Sequence, residues 1–276
     1  MYLGTAVLLA GGAVLFGTLA VRESGYRKRM LLLGALPCAA MAVAYVMMGL
    51  EILTVTVTGT GGREQSMVRF VSYTVILVTV SYLLREVAGL SRQQFRVLCL
   101  ALVGMTWSAL FSWVTTGIAE MAASAGAFIL YLASVYLFYG PLARVARGAS
   151  GERQLLYLKL SHLAVLSWGT LILTSALSEQ SAGVLDFFVG QFVASFVDLV
   201  FMLAFAGLLY HSKSLFDERR DASTPAGDTR DVSVAETLTE TAPDENTPDA
   251  LETRDRTDPL ETRERTDPLE TETNTN

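Results

Sequence analysis

The stretch FVDLVFM, residues 196–202, places one aspartate, Asp198, inside an apolar segment that runs from Val184 to Tyr210. The segment is long enough to cross the hydrocarbon core of a bilayer as a helix. A carboxylate at such a position is costly, and intramembrane charges normally pair with a partner and face the interior of a helix bundle. The stretch therefore predicts a membrane helix, a bundle around it, and a basic partner for Asp198.

Six further apolar segments precede this one, and each is long enough to span a membrane. The seven segments cover residues 2–21, 30–50, 67–87, 95–115, 121–143, 155–177 and 184–210. Short polar loops separate them, and the whole chain of 276 residues is 51% hydrophobic. We therefore predict an all-α, multi-pass protein of the cell membrane, in which residues 1–216 form a seven-transmembrane-helix bundle surrounded by the lipid bilayer.

The charges of the loops predict how the bundle is oriented. Most basic residues of the bundle lie in the loops after the first, third and fifth segments. The loops after the second, fourth and sixth segments contain one basic residue in total, Arg63; these loops are GTGGREQ, GIAEM and SEQSAGVLD. Because basic loops stay on the cytoplasmic side, we expect the N-terminus outside and the C-terminus in the cytoplasm. The first segment has no basic region before it and no A-x-A cleavage site, so we expect it to be a retained helix.

Residues 217–276 have a different composition from the bundle. They contain 18 acidic and 7 basic residues, whereas residues 1–216 contain 9 acidic and 14 basic ones. A chain so poor in apolar residues cannot bury enough surface to offset its ordering entropy, so we predict a disordered acidic cytoplasmic tail. The tail holds a nine-residue repeat, ETRDRTDPL followed by ETRERTDPL. It is either a docking segment for a partner or a solvated acidic segment, and its acidity favours a halophilic host.

Several classes of function lack the residues that they need. The two histidines, His162 and His211, and the two cysteines, Cys38 and Cys99, do not have the spacing of a metal site. The sequence offers no nucleophile–base pair and no glycine-rich phosphate loop. We therefore predict neither an enzyme nor a metal site, and we expect no nucleic-acid partner.

Arg69 is the basic residue placed to pair with Asp198. It lies near the outer end of the third segment, and its long side chain can reach Asp198 in the outer half of the bundle. Aromatic residues flank the pair at helical spacing, and they either line a pocket or fill the core. These residues are Phe70, Tyr73, Trp168, Phe196 and Phe201.

Taken together, the seven segments, the arginine that opens the third, the tryptophan of the sixth and the aspartate of the seventh resemble the microbial, archaeal-type rhodopsins. Longer stretches are similar as well. YLGTAVLLAGGAVLFGTLAV resembles the first helix of that family, PCAAMAVAYVMMGLEI the second, and LREVAGLSRQQF the loop between the third and fourth. The resemblance covers residues 2–216 and implies a bacteriorhodopsin-like opsin fold.

The residue that binds retinal in that family is absent. Its lysine stands one helical turn after the aspartate, as D-x-x-x-K, and here Met202 occupies that position. A methionine has no amine and cannot form a Schiff base. The three lysines of the chain, Lys28, Lys159 and Lys213, all lie near the predicted cytoplasmic face. The resemblance therefore implies an opsin without a covalent cofactor.

Other positions that have a role in the photochemistry of that family also carry different residues here. The pattern R-Y-x-D-W of the third helix becomes RFVSY, so Ser72 stands at the counter-ion position and Leu83 at that of the proton donor. In the sixth helix only Trp168 remains of the aromatic residues that contact retinal. The positions that resemble the retinal pocket are Tyr73, Trp168, Leu171 and Ser175.

Three functions agree with these replacements. The first is an opsin-related protein that acts through protein contacts, as an accessory or regulator of other rhodopsins or of signal transducers. The second is a photoreceptor or sensor that holds retinal or another apolar ligand without a covalent bond. The third is a passive ion pathway along Arg69, Ser72 and Asp198. A homo-oligomer is compatible with all three.

Overall fold

The computed structural model of the protein describes residues 1–57, 64–178 and 181–216. These residues form eight α-helices, two short strands and one 3-10 helix. In chain order, the elements are α1 (Tyr2–Val21), α2 (Gly25–Gly49), β1 (Thr54–Thr56), β2 (Glu64–Ser66), α3 (Met67–Ala88), α4 (Arg92–Val114), α5 (Ile118–Tyr139), α6 (Pro141–Ala146), α7 (Gly151–Leu177), α8 (Phe187–His211) and the 3-10 helix Lys213–Phe216. The tail predicted for residues 217–276, with its repeat, lies outside the described residues.

Within the described residues, seven helical segments are long and apolar enough to cross a membrane, with α5 and α6 counted as one. The prediction of an all-helical, seven-span bundle is therefore confirmed. Large apolar side chains cover the outward faces of the helices, and Ile118 and Leu100 are 87% and 73% exposed. Such faces suit contact with lipid, because the hydrocarbon core is as apolar as the side chains themselves.

The third helix lies at the centre of the bundle. In its most apolar stretch 67% of the residues are buried, compared with 17% for the α5–α6 segment. Helices α2, α4 and α7 pack against it, and α8 packs against α1, α2 and α7. The inner faces of α2 and α8 supply fully buried side chains such as Tyr45 and Phe205. This arrangement brings the middle of α8, with Asp198, against the beginning of α3, with Arg69.

The segment predicted as one helix over residues 121–143 is broken in the structure. Helix α5 ends at Tyr139, and α6 begins at Pro141 after a non-helical Gly140 with φ −96° and ψ −102°. Pro141 has no N–H to donate to the carbonyl group four residues earlier, and its ring would collide with that group in a continuous helix. Proline is tolerated as the first residue of a new helix, which is its position in α6.

Strands β1 and β2 form a small hairpin that the sequence analysis did not predict. They pair antiparallel, with Thr54 opposite Ser66. The chain enters the hairpin through Glu51 and Leu53, whose φ values of 57° and 55° are unusual for residues other than glycine. The first residues of α3, α5 and α8 lie at the same end of the bundle, which we call the hairpin end.

The opposite end is closed by the 3-10 helix. Phe216 is buried, and its ring lies 6.3 Å from that of Tyr26 at the start of α2. The Lys213 Nζ atom lies 2.8 Å from Glu23 Oε1, and Arg27 Nη1 lies 2.6 Å from Glu23 Oε2. The bond from Lys213, and then that from Arg27, lower the pKa of Glu23, while Glu23 raises the pKa of Lys213.

These shifts predict that acid loosens the 3-10 helix. The pKa of Glu23 is lower in the folded protein than its ordinary 4.5, so its stabilising contribution is present above pH 4.5 and is lost as the pH falls through the folded value. A spin label on Ser214→Cys should become more mobile over that range. In Glu23→Gln the label should be mobile already at neutral pH, whereas Glu152→Gln should behave like the parent. A label whose mobility ignores both pH and Glu23→Gln would contradict the prediction.

Candidate functional site

Arg69 and Asp198 form a buried ion pair. Arg69 is the third residue of α3, and Asp198 is the twelfth residue of α8. The Arg69 Nη2 atom lies 2.7 Å from Asp198 Oδ2, and the two residues are only 4% and 2% exposed. Removing two charges from water is costly, and their attraction offsets that cost only when hydrogen bonds satisfy the remaining donors and acceptors.

Two tyrosines complete the hydrogen bonding of the carboxylate. The Tyr45 hydroxyl donates to Asp198 Oδ2 at 2.7 Å, and the Tyr73 hydroxyl donates to Asp198 Oδ1 at 2.7 Å. Together with Arg69, the carboxylate accepts bonds from three side chains on two neighbouring helices. Both oxygens of the Asp198 carboxylate are therefore hydrogen-bonded to side chains of α2 and α3.

The guanidinium group of Arg69 has several partners of its own. Its Nε donates to the Tyr73 hydroxyl at 2.9 Å, and its Nη1 donates to Gln191 Oε1 at 3.2 Å. The Cζ atom also lies 5.6 Å from the centre of the Tyr73 ring and 5.8 Å from that of Tyr45, within the range of cation–π attraction. We call these five residues, Tyr45, Arg69, Tyr73, Gln191 and Asp198, the Arg69 network.

Two members of the network were not predicted as site residues. Gln191 lies two helical turns before Asp198, on the same face of α8. Tyr45 belongs to the stretch PCAAMAVAYVMMGLEI, which resembles the second helix of the family, but the sequence alone did not point to a role for it. Each of these side chains carries a polar group within an apolar helix, and a buried polar group needs a hydrogen-bond partner. That requirement is the signal by which the sequence could have predicted them.

Ser72 and Met202 lie close to the network in sequence and contribute nothing to it. The Ser72 hydroxyl donates to the carbonyl group of Ala40 at 3.2 Å, so this side chain faces α2. Met202 is 1% exposed and packs in the apolar core one turn after Asp198. Met202, which the resemblance places at the position of the family's lysine, is therefore a core side chain in the structure.

A cavity of about 480 Å³ extends from the hairpin end to Trp168. The four residues predicted to resemble the retinal pocket, Tyr73, Trp168, Leu171 and Ser175, all line it. The Trp168 ring meets the Tyr73 ring edge-on, with 5.0 Å between their centres. The Nε1 atom of Trp168 is buried and has no hydrogen-bond partner within the described part of the chain.

Two of the aromatic residues that were considered for the pocket lie elsewhere. Phe196 is 59% exposed on the outer face of α8, and Phe201 is buried in the core without lining the cavity. A residue two positions from Asp198 lies about 200° around the helix from it, which explains the outward direction of Phe196. Phe70 does line the cavity.

The charges of the network cancel, and it contains no group that could act as a nucleophile beside a free base. Within residues 1–57, 64–178 and 181–216, no three histidine, cysteine or acidic side chains come together in a way that could hold a metal ion. The arrangement suits structural fixation of three helices beside a cavity.

The family model for the bacteriorhodopsin-like proteins matches residues 1–215. The chain belongs to this family. It is thus a microbial rhodopsin-like membrane protein, in agreement with the resemblance of its helices. No curated protein is similar enough to count as a match.

Solved structures of microbial rhodopsins have the same fold as this family member. Thermophilic rhodopsin from Rubrobacter xylanophilus matches with a TM-score of 0.72 and 17% identity, over 79% of this chain and 96% of that one. The light-driven proton pump of Coccomyxa subellipsoidea matches with a TM-score of 0.68 and 18% identity, over 76% and 94%. The transmembrane domain of the Salpingoeca rosetta rhodopsin phosphodiesterase gives 0.69 and 18%, over 78% and 83%. At these identities the likeness concerns the fold alone.

Proposed function

We propose that this rhodopsin-like protein forms no covalent adduct with retinal and acts through contacts with other proteins. The observation that supports this most is the engagement of Asp198, whose carboxylate already accepts hydrogen bonds from Arg69, Tyr45 and Tyr73. A cationic cofactor linkage beside Asp198 would leave this buried network with a net positive charge, because Arg69 already balances the carboxylate. The residues present therefore do not fit a covalently held retinal.

The positions of the lysines support the same proposal. Met202 offers a thioether and no amine. Lys213 lies 11 residues further along the chain, a rise of about 16 Å for a helix. Lys28 lies in the first turn of α2 and Lys159 is the ninth residue of α7, both in the half of the bundle opposite the hairpin. An amine at any of these three places would be far from the cavity beside Trp168.

The proposed role is that of an accessory or regulatory membrane protein, without enzymatic activity. Its partners would be other rhodopsins, signal transducers or a second copy of the chain. We further propose that the hairpin end faces the outside of the cell membrane, because the loops at the opposite end carry most of the basic residues. The acidic segment 217–276 would then lie in the cytoplasm, where it is available as a docking segment.

A second function, non-covalent binding of a ligand, is supported by the cavity. Its volume of about 480 Å³ falls within the usual range of small-molecule sites. Leu171 and Ser175 are smaller than the aromatic residues that the resemblance places at these positions in microbial rhodopsins, and they leave space beside Trp168. Retinal held without a bond is one occupant of this kind.

The structure offers less support for a passive ion pathway. Ser72, one of its three proposed residues, faces α2 and does not line the cavity. Most of the buried α3 side chains that follow Tyr73 are apolar, including Ile76, Leu77, Val80 and Leu83, and Thr79 and Ser81 are the polar exceptions. An ion that reached the Arg69 network would therefore find few polar groups to replace its water.

The absorption spectrum of the purified protein tests the main proposal. After incubation with all-trans retinal in the dark, we expect only the band of free or loosely held retinal. A red-shifted band that survives hydroxylamine would contradict the proposal. A shift of the free-retinal band that hydroxylamine removes would favour the second function instead.

A further inference from the structure

The cavity beside Trp168 has a chemical character that points to one class of ligand. Its charged lining residues among those described are Arg69, Glu120 and Asp186. The charge of Arg69 is cancelled by Asp198 at 2.7 Å. Glu120 and Asp186 are exposed at the hairpin end, and neither forms an ion pair with another described residue. The uncompensated charges of the cavity are therefore negative and lie at its mouth.

The loop sequences at the hairpin end have the same sign. Besides Glu120 and Asp186, the exposed Glu51 in the turn that leads into the hairpin is acidic. A cleft lined by one sign of charge above apolar walls raises the local concentration of ligands with the opposite sign. This end of the bundle thus attracts cations and repels anions.

The walls of the cavity are aromatic as well as apolar. Six aromatic side chains line it, namely Phe70, Tyr73, Trp113, Phe128, Trp168 and Phe187. The face of an aromatic ring attracts a cation electrostatically, and tryptophan does so most strongly. A cation with an apolar surface would be stabilised in the cavity by this attraction and by burial of its apolar area. A small hydrated ion would instead have to give up its water, which disfavours its binding.

We propose that the cavity binds a lipophilic organic cation, a molecule with aromatic or other apolar groups around one positive charge, which enters from the hairpin end. This inference rests on the proposal that no covalently held retinal fills the cavity, and it names the ligand class for the second function. The charge would lie toward Glu120 and Asp186, and the apolar groups would lie against Phe128 and Trp168.

Two probes of the same shape and opposite charge test the proposal. Tetraphenylphosphonium and tetraphenylborate are titrated into the full-length protein in an uncharged detergent, and binding is followed by tryptophan fluorescence, since two of the three tryptophans line the cavity. We expect saturable binding of the phosphonium cation, with an affinity about tenfold above that of the borate anion. Added salt should weaken the binding of the cation, because the carboxylates are exposed.

Matched variants separate the cavity from general adsorption to the micelle. Glu120→Gln combined with Asp186→Asn should weaken binding of the cation about fivefold, and the asparagine keeps the helix cap. Glu51→Gln removes a charge at the same end but outside the cavity, and it should weaken binding far less than the double variant does. Phe128→Leu should weaken binding about threefold, whereas Phe196→Leu, on the outer face, should not.

Equal affinities for the two probes, or binding that both sets of variants leave unchanged, would overturn the inference. That result would leave the main proposal intact as long as retinal forms no pigment. A covalent retinal pigment in the unmodified protein would instead overturn the main proposal, whatever the phosphonium cation does. The two failures are therefore distinguishable.

Discussion

Substituting Asp198 by asparagine should lower the free energy of unfolding of the bundle by about 3–5 kcal/mol, the usual cost of removing one partner of a buried ion pair. The substitution leaves the guanidinium group of Arg69 charged and only 4% exposed. It also replaces one acceptor oxygen by an NH₂ group that faces the Tyr45 or Tyr73 hydroxyl. The loss should exceed that of a simple hydrogen bond, because an uncompensated buried charge remains.

Unfolding of the purified protein by a denaturing detergent, followed by circular dichroism, measures this effect. Asp186→Asn is the matched control, since Asp186 is exposed and caps α8 through the N–H group of Val189. Asparagine caps helices as well as aspartate does, so the control should change stability by less than about 0.5 kcal/mol. Equal losses in the two variants would mean that the pair does not stabilise the bundle.

A double-mutant cycle with Arg69→Gln isolates the coupling between the two residues. Once Arg69 is neutral, Asp198→Asn strands no charge, so the double variant should be less destabilised than the sum of the single losses by at least about 1 kcal/mol. Additive losses would contradict an interaction between the two side chains, whatever the size of each loss.

Met202→Lys should convert the protein from one that forms no pigment into one that binds retinal covalently but weakly. The new amine lies one helical turn after Asp198. Ser72 carries no charge and cannot act as the counter-ion of the linkage, so Asp198 would have this role. Two features limit the yield. The Asp198 carboxylate is already bonded to Arg69, Tyr45 and Tyr73, and Leu171 and Ser175 leave the retinal ring loosely packed.

The same reasoning predicts which second substitution helps. Tyr73→Phe removes the donor to Asp198 Oδ1 and keeps the ring that faces Trp168. Met202→Lys combined with Tyr73→Phe should therefore give more pigment than Met202→Lys alone, as measured by the red-shifted absorption. Tyr82→Phe, on the same helix but outside the network, should not increase the yield. Efficient pigment formation by Met202→Lys alone would show that the network does not occupy the carboxylate.

The sequence predicted the seven helices because the length of an apolar run has a direct physical meaning in a membrane. It also predicted that Arg69 lies beside Asp198, because a buried carboxylate needs a basic partner and few basic residues lie within the apolar segments. The break between α5 and α6 at Gly140 was not predicted, although Pro141 indicates it. The hairpin was missed because strands of three residues leave no periodic pattern.

The rotation of each helix was harder to derive from the sequence. Helix α8 is apolar all round, so its composition does not indicate which face is inward. Asp198 does indicate it, because residues three or four positions apart share a face. The buried residues Gln191, Ser195, Met202 and Phe205 follow that spacing from Asp198. Counting from Asp198 would have placed Phe196 outward and Gln191 beside the ion pair.

The central claim is that this rhodopsin-like protein carries no covalent retinal. Borohydride reduction after incubation of the unmodified, full-length protein with all-trans retinal tests it most directly, because reduction fixes any retinal–lysine bond permanently. We predict that mass spectrometry finds the intact chain unchanged and that no lysine-containing peptide is modified. A retinyl group fixed to Lys28, Lys159 or Lys213, together with a red-shifted pigment that resists hydroxylamine, would contradict the account.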